Sequence, residues 1–151
     1  MIGKPVPLKG KGSATTTNGI EGYVAAAGAR PNCMAVIVLV DADKDASCEL
    51  GPALLARAQV VTRPPVVVIV AERDFEDWIY ASIETLELGG SDWIEGTRGK
   101  NAIESLLAPD KYVKSTMQAR LTHRMNLTIA RQRSSSLDRL FRKLDGILAN
   151  L

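Results

Sequence analysis

Residues 35–50 read AVIVLVDADKDASCEL, an unbroken apolar run from Ala35 to Val40 that ends on aspartates at 41, 43 and 45. An apolar stretch without alternation is what a strand covered on both faces looks like, as in a parallel sheet. The run PVVVIVA, residues 65–71, repeats the pattern, and its β-branched residues favour the same conformation. Between the two, Leu50 to Val60 carries Leu54, Leu55 and Ala58 at helical spacing. Strand, helix and strand in this order make a β-α-β unit with parallel pairing and a right-handed crossover. The expected class is therefore α/β, a mostly parallel sheet flanked by helices.

Outward from this unit the signals are helical. Phe75, Ile79, Ile83 and Leu86 recur at intervals of three and four, so a helix directly follows the second strand. Asn101 to Leu107 is a short helix ended by Ala-Pro-Asp, and Thr116 to Ala130 is expected to be helical. The last helix places Leu137, Leu140, Phe141, Leu144, Ile147 and Leu148 on one stripe, with Ser135 and Asp138 as its capping box. Before the first strand, residues 15–29 read as a weak helix interrupted by Gly19 and Gly22. KPVPL, residues 4–8, carries two prolines and is compatible with a strand only at a sheet edge.

The length of 151 residues fits a single domain, 1–151, which buries about 70% of the surface of its unfolded form without a disulfide or metal staple. Cys33 and Cys48 match neither a redox pair nor a zinc site, and free thiols in a reducing cytosol are the simplest reading. No 18-residue apolar segment and no secretory leader are evident, so a soluble cytoplasmic protein without membrane association is expected. The net charge of +2 conceals an asymmetry: residues 1–96 hold 8 Lys/Arg against 13 Asp/Glu, and residues 97–151 hold 11 against 4. An acidic sheet core at −5 followed by a basic helical segment at +7 suits carboxylates that hold a cation and basic groups that hold a polyanion. A solvated helix face with ordinary ion pairing explains the same numbers.

In a parallel α/β sheet ligands bind beyond the carboxyl ends of the strands, which is where Asp41 and Asp43 fall. Magnesium needs only a few carboxylates together with water and phosphate oxygens. A calcium loop is excluded, because DADKDASCELGP has Ala46 where the turn requires glycine and Pro52 where it requires a bidentate glutamate. A strand ending in DxD also resembles phosphatases of the haloacid dehalogenase type, in which the first aspartate is the nucleophile, although Asp45 stands where that family has Thr or Val. A second acidic group, AERDFEDW, follows the second strand and offers Glu72, Asp74, Glu76 and Asp77, of which Glu76 is the preferred ligand. Helix N-terminal complementarity accounts for the same carboxylates, and Trp78 reads as core or site wall. His123 lacks a nucleophile partner, and GTRGKN is no P-loop, since Ile94 stands where its first glycine belongs.

VLVDADKD, then AERDFEDW, KYVKS and the closing SSSLDRLF, in that order over roughly residues 30–148, resemble an uncharacterised Toprim-like family related to OLD-type nucleases and phage-defence proteins. The resemblance implies a Toprim-type fold with a helical C-terminal segment and magnesium, or manganese in its place, held by Asp41 and Asp43. Glu76 matches the glutamate of the family's Phe-Glu-x-Trp element, and Lys111, Lys114 and Ser136 fall in its C-terminal segments. Toprim domains also carry a glutamate after their first strand, and nothing equivalent precedes KPVPL; Glu21 lies in the weak helix. The first strand is then missing from this chain, supplied by another chain, or lost, and the open edge invites self-pairing into a homo-oligomer. The expected activity is magnesium-dependent action on nucleic-acid phosphodiesters, with Lys100, Lys111, Lys114, Arg120, Arg124, Arg131 and Arg133 as phosphate contacts. The alternative is a non-catalytic nucleic-acid- or protein-binding subunit of the same fold.

Overall fold

The computed structural model describes residues 3–89 and 92–149. They divide into two compact units, Met1–Glu72 with Arg142–Leu151, and Arg73–Phe141. Gly96, where the sequence passes from net acidic to net basic, lies inside the second unit.

In the first unit, α1 (Lys11–Thr15) and α2 (Gly19–Gly28) precede β1 (Val36–Asp41), α3 (Ser47–Ala58) and β2 (Val66–Ala71). The strands pair in parallel, from Val36 opposite Val66 to Asp41 opposite Ala71, so the expected β-α-β unit is present. Among the described residues the sheet has only these two strands. KPVPL forms no strand; its two prolines remove the donors that a ladder needs. Val36, Val38 and Val40 face a core built with Ala14, Ile20, Val24, Leu54 and Ala58. β1 is not covered on both faces as its apolar run predicts: Ile37 and Leu39 are 43% and 40% exposed. Arg57 of α3 fixes the helices, its Nε and Nη2 donating to the two oxygens of Glu21 at 2.7 Å each.

The second unit is helical: α4 (Phe75–Tyr80), a 3₁₀ turn (Ile83–Thr85), α5 (Gly99–Leu107), α6 (Lys114–Arg124), α7 (Leu127–Arg133) and the first part of α8 (Ser135–Leu148). Ile79, Tyr80, Ile83, Leu86, Ile103 and Leu121 form its core. The helix expected over Thr116–Ala130 is broken after Arg124, and Asn126 restarts it as α7 by accepting from the Ile129 N–H at 3.1 Å. A side-chain acceptor at that position satisfies an orphan amide of the new helix. At the head of α8 the Ser134 hydroxyl accepts from the Leu137 N–H at 3.3 Å, one residue earlier than the expected cap at Ser135. Of the apolar stripe on α8, Leu137 is buried while Leu148 is 67% exposed. No helix among the described residues is long and apolar enough to cross a membrane.

Candidate functional site

The two strands of the first unit end together. Asp41 is opposite Ala71, and the Ala42 N–H extends the ladder by donating to the Ala71 carbonyl at 2.9 Å. The chain then turns through Asp43 in the left-handed region, φ 56°, and the Asp45 N–H closes the turn on the Ala42 carbonyl at 3.0 Å. Aspartate tolerates this backbone better than most side chains, so Asp43 serves the turn whatever its carboxylate does. Lys11, at the start of α1, enters the turn. Its Nζ donates to the Ala42 carbonyl at 2.9 Å and lies 2.9 Å from Asp45 Oδ2 and 3.5 Å from Asp43 Oδ2. The Asp45 hydrogen bond, with the charges of Asp45 and Asp43, raises the Lys11 pKa against the opposing effect of partial burial. Lys11 is thus an internal counter-ion of the acidic turn. Nothing local in the sequence marks it, since its partners lie more than thirty positions away.

The second acidic group belongs to the other unit from Arg73 onward, so Asp41 and Asp43 are in one unit and Glu76 in the other. Asp74 is the N-cap residue of α4 in extended conformation, yet its side chain makes no cap bond. Arg98 Nε donates to Asp74 Oδ2 at 2.9 Å. Glu76, only 1% exposed, accepts from the Tyr112 hydroxyl at 2.9 Å and from Gln118 Nε2 at 3.2 Å, and Lys114 Nζ approaches to 3.7 Å. Asp77 accepts from Arg73 Nε and from the Gly99 N–H, each at 2.6 Å. Burial nevertheless pushes the Asp77 pKa up, helped by the Asp74 charge, against the pull of Gly99 and Arg73. Burial also raises Tyr112 well above the usual tyrosine range, with Glu76 first among the charges that add to it. The sequence picked out Glu76 but gave no sign of Tyr112 or Gln118 as its donors, 36 and 42 positions away.

The expected phosphate contacts separate by their partners. Arg124 binds the Leu86 carbonyl and Glu87, Arg131 binds Asp138 and lies over the Phe141 ring, and Arg133 binds Glu84 and lies over Trp93. These three arginines are committed to holding the unit together. Lys100 is 4.0 Å from Glu104 on the same helix, and Lys114 faces Glu76. Lys111 and Arg120 are exposed and make no ion pair among the described residues. Among the described residues no group of three or more His, Cys, Asp or Glu is placed to hold a metal ion. No family model matches the chain, and no curated protein or solved structure matches it.

Proposed function

We propose that the chain is a Toprim-like, magnesium-dependent protein acting on nucleic-acid phosphodiesters, with Asp41 and Asp43 as metal ligands. The observation that supports this reading is the register of the parallel pair. With Asp41 opposite Ala71, the side chains of Asp41, Asp43 and Glu72 leave from the carboxyl end of one sheet, the usual place for a ligand in α/β proteins. A bound metal would stabilise charge on the phosphoryl oxygens and orient a water. Lys111 and Arg120 are exposed and without an ion-pair partner among the described residues, which leaves their charge available to a phosphate. The test is magnesium- or manganese-dependent cleavage of single- and double-stranded DNA and RNA by the unaltered chain and by Asp41→Asn plus Asp43→Asn. Asparagine keeps the left-handed turn at position 43 while removing the charge. Cleavage that persists in this double variant overturns the assignment.

One observation favours a second reading, the non-catalytic binding subunit. Lys11 already neutralises Asp43 and Asp45, so a metal there has an ammonium to displace. This reading expects nucleic-acid or protein binding without turnover under any metal, in the unaltered chain and in Lys11→Met alike.

A further inference from the structure

Pairing with β2 uses only one edge of β1. The Val36 and Ala42 amides are directed at the Pro65 and Ala71 carbonyls, so by alternation the amides and carbonyls of Ile37 and Leu39 are directed away from β2. Among the described residues no backbone group meets them. The side chains of Ile37 and Leu39 are exposed as well, whereas Val67 and Ile69, their neighbours on the same face of β2, are half-buried and buried. Apolar side chains and unused backbone groups therefore coincide on one strand. Native sheet edges are commonly blunted by a lysine or a proline, and residues 35–40 contain neither.

We propose that this edge is a dimer interface, taken by β1 of a second copy in antiparallel pairing about a two-fold axis at Val38. Under such an axis each residue faces the position equally far on the other side of the centre. Ile37 then stands opposite Leu39 of the second copy, and Leu39 opposite its Ile37. These are the two positions with outward backbone groups, and an antiparallel pair of this kind exchanges both of its hydrogen bonds. Each exposed side chain also gains an apolar neighbour on its own face of the sheet. Other registers do worse: a centre at Leu39 sets Ile37 against an aspartate, Asp41, and a centre at Ile37 leaves Leu39 against the small Ala35. Charge selects the same arrangement. Parallel pairing of the two edges would stack Asp41, Asp43 and Asp45 on their own copies, and like charges directly opposite repel. Antiparallel pairing sets Asp41 against Ala35 and directs the acidic turn toward the second copy's approach to β1. There Arg30, exposed and bound to the Lys4 carbonyl, makes no ion pair among the described residues. The edge is thus complementary to itself in backbone, side chains and charge, which makes a second copy its occupant. This interface lies in the first unit and does not depend on Asp41 and Asp43 holding a metal.

Sedimentation of the full chain at rising concentration is expected to show a monomer–dimer equilibrium. Amide hydrogen exchange across the same series locates it: the Ile37 and Leu39 amides become slow only where the dimer is populated, while those of Val38 and Val40, held by β2, are slow throughout. In a mixture of labelled and unlabelled chains, the Ile37 methyls give intermolecular contacts to Leu39. Leu39→Pro removes an outward donor, twice by symmetry, without touching a β1–β2 bond, as an edge strand tolerates. It weakens association by about tenfold or more. Ile37→Thr keeps the β-branched backbone preference, weakens association as well, and serves where the proline variant does not fold. A chain that stays monomeric up to about 1 mM, a dimer whose Ile37 and Leu39 amides exchange freely, or association indifferent to Ile37→Thr overturns the proposal.

Discussion

The indole Nε1 of Trp78 donates to the Ser136 hydroxyl at 2.8 Å, joining α4 to the start of α8 across 58 positions, with both side chains 2% exposed. Ser136→Ala keeps the shape of the site nearly unchanged but strands a buried N–H, which costs about 1–3 kcal/mol. Urea unfolding is expected to show a lower midpoint at unchanged slope. A shift equivalent to less than about 0.5 kcal/mol, the usual range of surface changes, would mean that the bond contributes little.

Gly99 begins α5 where the helix presses on α4, and a Cβ there would run into the Glu76 carbonyl, with Asp77 Cα 2.7 Å away. The obstruction is backbone, which cannot rotate aside. Gly99→Ala is expected to destabilise by about 3 kcal/mol, the upper end of overpacking costs. Gly22, inside α2, has open space where its Cβ would stand. Gly22→Ala is expected to stabilise by about 0.4–1 kcal/mol, and the two thermal melts should therefore move in opposite directions.

Tyr112 keeps its proton in the folded chain beyond the pH at which an unfolded chain loses it, because burial and the Glu76 carboxylate both oppose ionisation. Its contribution to stability is complete below about pH 10 and is lost as the pH rises above it. Tyr112→Phe removes a donor from the buried Glu76 and is expected to cost about 1.5–3 kcal/mol at neutral pH. It should also flatten the alkaline limb of the stability profile. Denaturant titrations at pH 7 and pH 11 check both effects, and a gap between variant and parent that does not narrow at pH 11 contradicts the assignment.

Lys11→Met withdraws the ammonium from Asp43, Asp45 and the Ala42 carbonyl. Should the acidic turn hold a metal, manganese affinity there rises several-fold in this variant, while the melting temperature without metal changes little, since both aspartates are exposed. Unchanged affinity would argue that the turn does not take a cation at all.

Elements set by local composition were legible in the sequence. VIVLV and VVVIV are dense in β-branched residues, and both became strands, paired in parallel. Helices with a clear apolar period, α3, α5 and α8, lie close to their expected bounds. The break between α6 and α7 was not legible, because Leu121, Met125 and Ile129 carry the helical spacing straight through it and only the cap at Asn126 marks the restart. Coverage of β1 was misjudged for a related reason: a continuous apolar run says what a strand could bury, not how many neighbours it has. For the acidic groups the sequence identified carboxylates but not their partners. Lys11 beside Asp45 and Tyr112 beside Glu76 depend on the tertiary fold.

The uncovered side of β1 also bears on how the protein behaves in concentrated solution. Val36 donates to the Pro65 carbonyl and Ala42 to the Ala71 carbonyl, so in a parallel ladder the intervening peptide groups of Ile37 and Leu39 point away from β2. Exposed apolar side chains then stand beside unused backbone donors and acceptors in VIVLV, a segment with high β-propensity, no charge and no proline. Such an edge is a template for fibrillar growth, and Asp41 is the first charge along it that interrupts stacking. A lysine in place of Leu39 would act as a gatekeeper, slowing light scattering in stored samples without touching the buried valines on the opposite face.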